Sequence, residues 1–148
     1  MSKSLCFAAA IIVASVVPAF ANDCGPAPVG PVIPAASELA GKTVEAGRAI
    51  VIDAYHQVKA YQAALQPFRA CLKMQADAQT AAIAAAQADK DHDKAKDKIA
   101  AAKQALEDLD KINAASVDAE TQVATDFNTL HMAQCVNDTD PKICPKKP

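Results

Sequence analysis

The sequence predicts an all-α fold: a long antiparallel helical hairpin, kinked or made three-helical at Pro67, with an extended proline-rich strap before it. Three observations predict it. Two stretches, about Ser37–Ala88 and Ile99–Cys135, carry apolar residues at steps of three and four, the period of one helix face. Alanine fills most remaining positions; it is the best helix former and lets helices approach closely. Aromatic residues are only 4% and Trp is absent, so a thick multilayer core has no material and a slim hairpin fits better.

The first element is a secretory signal. Lys3 supplies the positive n-region, Leu5–Val17 the apolar h-region, and Ala19-Phe20-Ala21 the small-x-small cleavage pattern. Residues 1–21 are therefore read as a cleavable signal peptide, and the mature chain as periplasmic or secreted. No later apolar run reaches the ~18 residues of a membrane span. Asn22-Asp23 before Cys24 is unlike the small residues that precede a lipidated cysteine. The formal charge of −2 is too mild to steer nucleic acid or anionic lipid.

Residues 22–36 form the strap. Cys24–Pro34 reads CGPAPVGPVIP, in which Pro26, Pro28, Pro31 and Pro34 forbid a helix and favour an extended conformation. Residues 37–135 form the hairpin. Its first helix carries the stripe Val44, Val51, Ala54, Val58, Tyr61, Leu65, Phe68 and Leu72. Its second carries Ile99, Ala102, Leu106, Leu109, Ile112, Ala119, Val123, Phe127 and Leu130, with Ser116 in the expected apolar place. The charged knot Asp89–Lys98 separates them, with the tip near 89–95. A tip at His92 makes facing residue numbers sum to about 184, so that Val51 faces Ala133, Phe68 faces Ser116, and Cys71 lies near Asn113. Each arm is then ~60 Å long. Pro67 removes one backbone bond and is expected to kink or break the first arm near Gln66. Residues 136–148 are a turn-like tail.

Cys6 departs with the signal, leaving Cys24, Cys71, Cys135 and Cys144. An even count in a small exported chain reads as two disulfides, with three connectivities open. Their spacings match no zinc module.

Two segments carry a resemblance: Y-Q-A-A-L-Q-P-F-R-A-C-L (Tyr61–Leu72) and N-A-A-S-V-D-A-E-T-Q-V-A-T-D-F-N (Asn113–Asn128). They resemble small, uncharacterised exported α-helical proteins of Gram-negative bacteria. Those proteins share a Pro-rich N-terminal segment, an aromatic-x-A-C-L helix motif, and a later N-A-x-V-D…E…V-A-x-x-F-N helix. This chain departs from them in Pro67 and in the pair Cys135/Cys144. The resemblance implies architecture and compartment, and no activity. It also implies that Cys24 pairs with Cys71, leaving Cys135 to close a short loop with Cys144. The rival pairing, Cys24–Cys144 with Cys71–Cys135, needs a hairpin centred near Lys103.

Candidate sites are few. Asp89, Asp91 and Asp93 have the spacing that opens an EF-hand loop, but Lys94 and Ala100 stand where that loop needs Gly and Glu. Asp53, His56, Asp126 and His131 could approach one another, yet the first pair falls outside the seam, so no metal site is expected. Asn113, Ser116 and Glu120 lie in or beside the seam, where polar groups fix register or line a groove. Arg69 would activate Cys71 only if that thiol were free. There is no G-x-S-x-G, no Gly-rich phosphate loop and no placed carboxylate pair. No catalytic, cofactor-binding or metal residue is assigned, no cofactor is expected, and the chain is not expected to be an enzyme.

The reading is thus a non-enzymatic periplasmic interaction or structural module. It uses a protein partner or self-association through its alanine-rich face (Ala76–Ala88) or its tip, and binds neither nucleic acid nor a small-molecule substrate. The alternative is a periplasmic chaperone-like or stress- or metal-sensing hairpin.

Overall fold

The structure, a computed structural model, describes residues 24–144. Residues 1–23, which include the expected signal peptide 1–21, and residues 145–148 lie outside the described part. A short 3-10 turn, Ala36–Leu39, follows the strap. Two long helices come next, α1 (Val44–Gln87) and α2 (His92–Gln134), packed against each other as an antiparallel hairpin. No strand occurs among the described residues. The helical stretch foreseen from Ser37 is interrupted before Val44. There the chain turns and Thr43 caps α1, its hydroxyl accepting from the Ala46 N–H at 3.2 Å. That bond satisfies one of the orphan donors of the first turn.

The α1 stripe is buried from Val51 to Leu72, every member included. On α2 the buried line is stricter: Ala95, Ala102, Leu109, Ser116, Val123 and Leu130, each seven residues from the last. Ala119, assigned to the seam, is exposed, because at this strict period it falls on a flank. Gly47 meets Gln134, and Val51, Val58 and Leu72 share clusters with Leu130, Val123 and Leu109. Facing numbers in these pairs sum to 181. The expected register of about 184 is therefore corrected by nearly one turn. The cause is the tip. The knot is not a loop around His92. Asp91 caps α2, accepting from the Lys94 N–H at 3.3 Å, and His92 is already helical, so the turn is only 88–91.

Pro67 does not divide the first arm. α1 is one helix through it, and the three-helix alternative does not occur. Pro67 and Ala63, whose carbonyl loses its partner, both face solvent, so water can take that carbonyl. Leu65 and Phe68, 1% and 5% exposed, hold the chain to α2 on either side. Full burial of such side chains stabilises by about 1.5–3 kcal/mol each, enough to carry the defect.

The strap is a third layer over half of the hairpin. Cys24 is bonded to Cys71, with Cα atoms 5.6 Å apart. From there the strap runs antiparallel to α1. Gly30 lies on Tyr61 and Val123, Ile33 packs on both proximal clusters, and Leu39 reaches Val51, Ala54 and Leu130. A Cβ on Gly30 would sit 2.9 Å from Val123 Cγ2, so only glycine permits this approach. Cys135 is bonded to Cys144, Cα atoms 5.4 Å apart, closing the tail into a loop. The rival pairing does not occur.

Replacing Pro67 by alanine should restore the missing backbone bond. A helix-interior proline costs about 3 kcal/mol and its loss frees the unfolded chain by up to about 1 kcal/mol, so Pro67→Ala should raise stability by roughly 2 kcal/mol. Urea unfolding followed by circular dichroism checks this, and an unchanged midpoint would refute the account of the defect.

Candidate functional site

The densest polar chemistry lies at the open end of the hairpin, where α1 begins, α2 ends and the tail folds back. The clamp starts with Arg48, in the second turn of α1. Its Nε and Nη2 donate to Oδ2 and Oδ1 of Asp138 at 2.5 and 2.6 Å, a two-pronged fork. Its Nη1 reaches Asp140 Oδ2 at 3.2 Å. The Asp138 side chain is wholly buried, and it also accepts from Gln134 Nε2 (3.1 Å) and the Asp140 N–H (2.9 Å). Gln134 Nε2 donates again to the Val44 carbonyl at 3.0 Å, an acceptor at the start of α1. Gly47 makes room for this amide: a Cβ there would collide with Gln134 Oε1.

Electrostatics follow from this geometry. The Arg48 fork, helped by the Asp140 N–H and Gln134, holds the Asp138 carboxyl well below the carboxylate range, against the desolvation that pushes it up. The bond to Asp138 likewise raises Arg48. Charge-assisted forks of this kind are the stronger hydrogen bonds of proteins.

Beside the clamp, Val51, Ile52, Tyr55, Phe127, His131, Lys142 and Ile143 line an apolar cleft of about 440 Å³. Phe127 and His131 stack, centroids 5.8 Å apart at 19°. His131 Nε2 lies 2.6 Å from the Ile143 carbonyl, which can only accept, so this nitrogen carries the proton. The same histidine is within 4.8 Å, ligand atom to ligand atom, of both Cys135 and Cys144 sulfurs.

The middle of the hairpin holds a second polar tie. Arg69 Nη1 donates to Glu120 Oε2 (2.7 Å), and its Nε and Nη2 to the Ser116 hydroxyl and carbonyl (3.2 and 3.1 Å). Gln62 Nε2 donates to Glu120 Oε1 at 3.1 Å. These bonds hold Glu120 below its usual pKa, Arg69 first among the causes. Arg48, Tyr55, Gln62 and Arg69 recur every seventh residue, so they form one row of α1, across the seam from the row of Ile50 and Cys71 under the strap.

The other candidates resolve simply. Asp89 and Asp91 serve the turn and Lys98 and Lys94, with their pKa values lowered by those bonds. Asp53 is taken by Gln57 and Asp126 by Gln122, each four residues away, so these carboxylates and His56 and His131 do not converge. Ser116 is buried and tied, Glu120 half-buried and tied, and Asn113 exposed, lending its carbonyl to the Ser116 hydroxyl. Cys71 is in a disulfide, so Arg69 has no thiol to activate. Sequence reasoning missed the clamp. Its signal was a lone arginine, Arg48, one turn into an apolar helix, together with the acidic turn Asp138–Asp140.

Beyond Leu72 the hairpin has no third layer among the described residues. Gln79, Ala82, Ala85, Ala86, Asp89, Lys98, Ala101, Ala102 and Ala105 line an open groove of about 600 Å³, mostly of alanine methyls. No described helix is long and apolar enough to cross a membrane, and two disulfides are compatible with an exported protein. The chain matches no family model, no curated protein and no solved structure.

Two outcomes follow for the clamp. Because the folded pKa of Asp138 lies below its ordinary 3.8, its ion pair stabilises fully above that value and is lost as pH falls below it. Asp138→Asn should therefore be less stable near neutrality and flatten the decline of stability between pH ~4 and ~2, read by urea midpoints. Gly47→Ala should destabilise by about 1 kcal/mol although alanine ordinarily gains as much in a helix, because it evicts the Gln134 amide from two bonds. A stabilised Gly47→Ala variant would sink that reading.

Proposed function

We propose that this protein is an exported, non-enzymatic helical interaction module of the bacterial envelope, working through the distal half of its hairpin. The resemblance to small exported helical proteins of Gram-negative bacteria belongs to the same proposal, as does cleavage after Ala21. One observation carries the reading. Among the described residues the strap reaches no further than Cys24 on Cys71, and the alanine-lined groove beyond it lies open. The covered half is apolar and polar-tied, whereas the open half has small side chains on both helices. Small residues let another helix come close, at the cost of weak specification by the two helices alone. The groove therefore suits the apolar face of a third helix, either from a second copy or from an envelope protein.

The test uses positions that are exposed and hold no bond, Ala82 and Ala101. A photo-crosslinking residue at either position should form a defined adduct in the envelope or with a second copy, and the same residue at Lys73 should not. The double variant Ala82→Glu/Ala101→Glu should keep its melting temperature and lose the adduct partner's affinity by tenfold or more, about 1.4 kcal/mol. A monomer at high concentration that forms no adduct from either position would end this reading.

A further inference from the structure

The Cys135–Cys144 bond lies beside His131, one ring nitrogen of which is hydrogen-bonded to a backbone carbonyl. His131 and Cys135 stand four residues apart at the end of α2, and so on one face of it. Cys144 is brought to them by the tail. One ligand atom from each of the three lies within 4.8 Å of the others. Tetrahedral zinc, with Zn–S near 2.3 Å and Zn–N near 2.0 Å, needs its ligand atoms roughly 3.5–3.8 Å apart, which small side-chain rotations would meet.

Two features point beyond proximity. Metal-bound histidines typically give their second ring N–H to a backbone carbonyl, which fixes tautomer and orientation. His131 Nε2 does this with the Ile143 carbonyl at 2.6 Å, so the neutral ring keeps its lone pair on Nδ1. Phe127, stacked on the ring, fixes its plane. The tail, moreover, is held by more than its disulfide. The Arg48 fork on Asp138, the second contact to Asp140, and Gln134 hold residues 138–140 on the helices. Opening the sulfur bridge therefore leaves the two thiols close to His131.

We propose that His131, Cys135 and Cys144 form a redox-gated site for one borderline-soft divalent cation of the zinc class. In the oxidised chain the sulfurs are bonded to each other and the site is closed. A small dithiol reductant transfers two electrons and two protons to the Cys135–Cys144 bond; the S–S bond breaks, two thiols form, and the reductant becomes a disulfide. The cation then binds both sulfurs and the imidazole, and the two thiol protons go to solvent. The two thiolates neutralise its charge, and a fourth position stays open to water or another ligand. This inference is independent of the distal groove.

The experiment uses the full mature chain with Zn²⁺ alone as probe, oxidised or treated with a dithiol without oxygen. Native mass spectrometry counts bound metal, chelator competition gives the affinity, and Co²⁺ substitution reports thiolate coordination by its absorption. Reduced protein should take one Zn²⁺ per chain and gain thermal stability from it; oxidised protein should take none. Cys24→Ser/Cys71→Ser should bind as the reduced parent does. Cys135→Ser/Cys144→Ser, which keeps the other two thiols, should not bind. His131→Gln should weaken binding about tenfold or more, with circular dichroism confirming its helices. Uptake no greater than that of Cys135→Ser/Cys144→Ser, or unchanged affinity in His131→Gln, would overturn the proposal.

Discussion

Two helices alone cannot enclose a core. Their seam has two open flanks, and side chains that point into it meet solvent on one side or the other. The proximal half of this protein is shaped by how those flanks are closed. The strap covers one, pinned where Cys24 meets Cys71, and Arg48, Gln62 and Arg69 of one row close the other with polar ties, Tyr55 between them resting against Phe127. The third layer helps bury residues as large as Tyr61, under Gly30, and Phe68, in the cluster against which Cys24 packs. Beyond the described strap the large buried residues end too, and the buried positions of both helices, Ala86, Ala95 and Ala102, are alanine.

The fold class was legible because period and composition agreed. The α1 stripe, the strap, and the hairpin all came from local patterns that no tertiary contact had to override. The register was not legible. It depends on the turn, and the turn depends on whether Asp89, Asp91 and His92 are loop or helix. Asp91 as a cap settles that, but a run of alternating acids and bases offers several equivalent caps. Pro67 was read by its local cost alone, whereas Leu65 and Phe68 supply the compensation from across the seam. The clamp was illegible for a related reason: Arg48 and Asp138 are ninety residues apart, and nothing near either predicts the other.

Polar groups in this molecule do two separate jobs. Ser116 and Glu120 specify which turn of α2 faces which turn of α1, as buried polar groups do in helical seams. Asp138 and Gln134 instead attach an irregular tail to regular helices. A tail rich in turn residues has few apolar groups to bury, so its placement relies on directional bonds. Those bonds fix residues 138–140 of the tail, whose last two described residues, Ile143 and Cys144, lie against His131.

The split between a strapped half and a bare half also sets an order of assembly. Contacts near the 88–91 turn join residues close in sequence, so they close small loops at little entropic cost. The alanine arms beside it can zip outward early, but they gain little from burial. The strap can dock only after α1 and α2 have paired as far as Tyr61 and Val123, since its seat is made of both. The Cys24–Cys71 link is thus a late event in oxidative folding. Until it forms, the flank of the seam over Tyr61 and Val123 lacks its pinned cover.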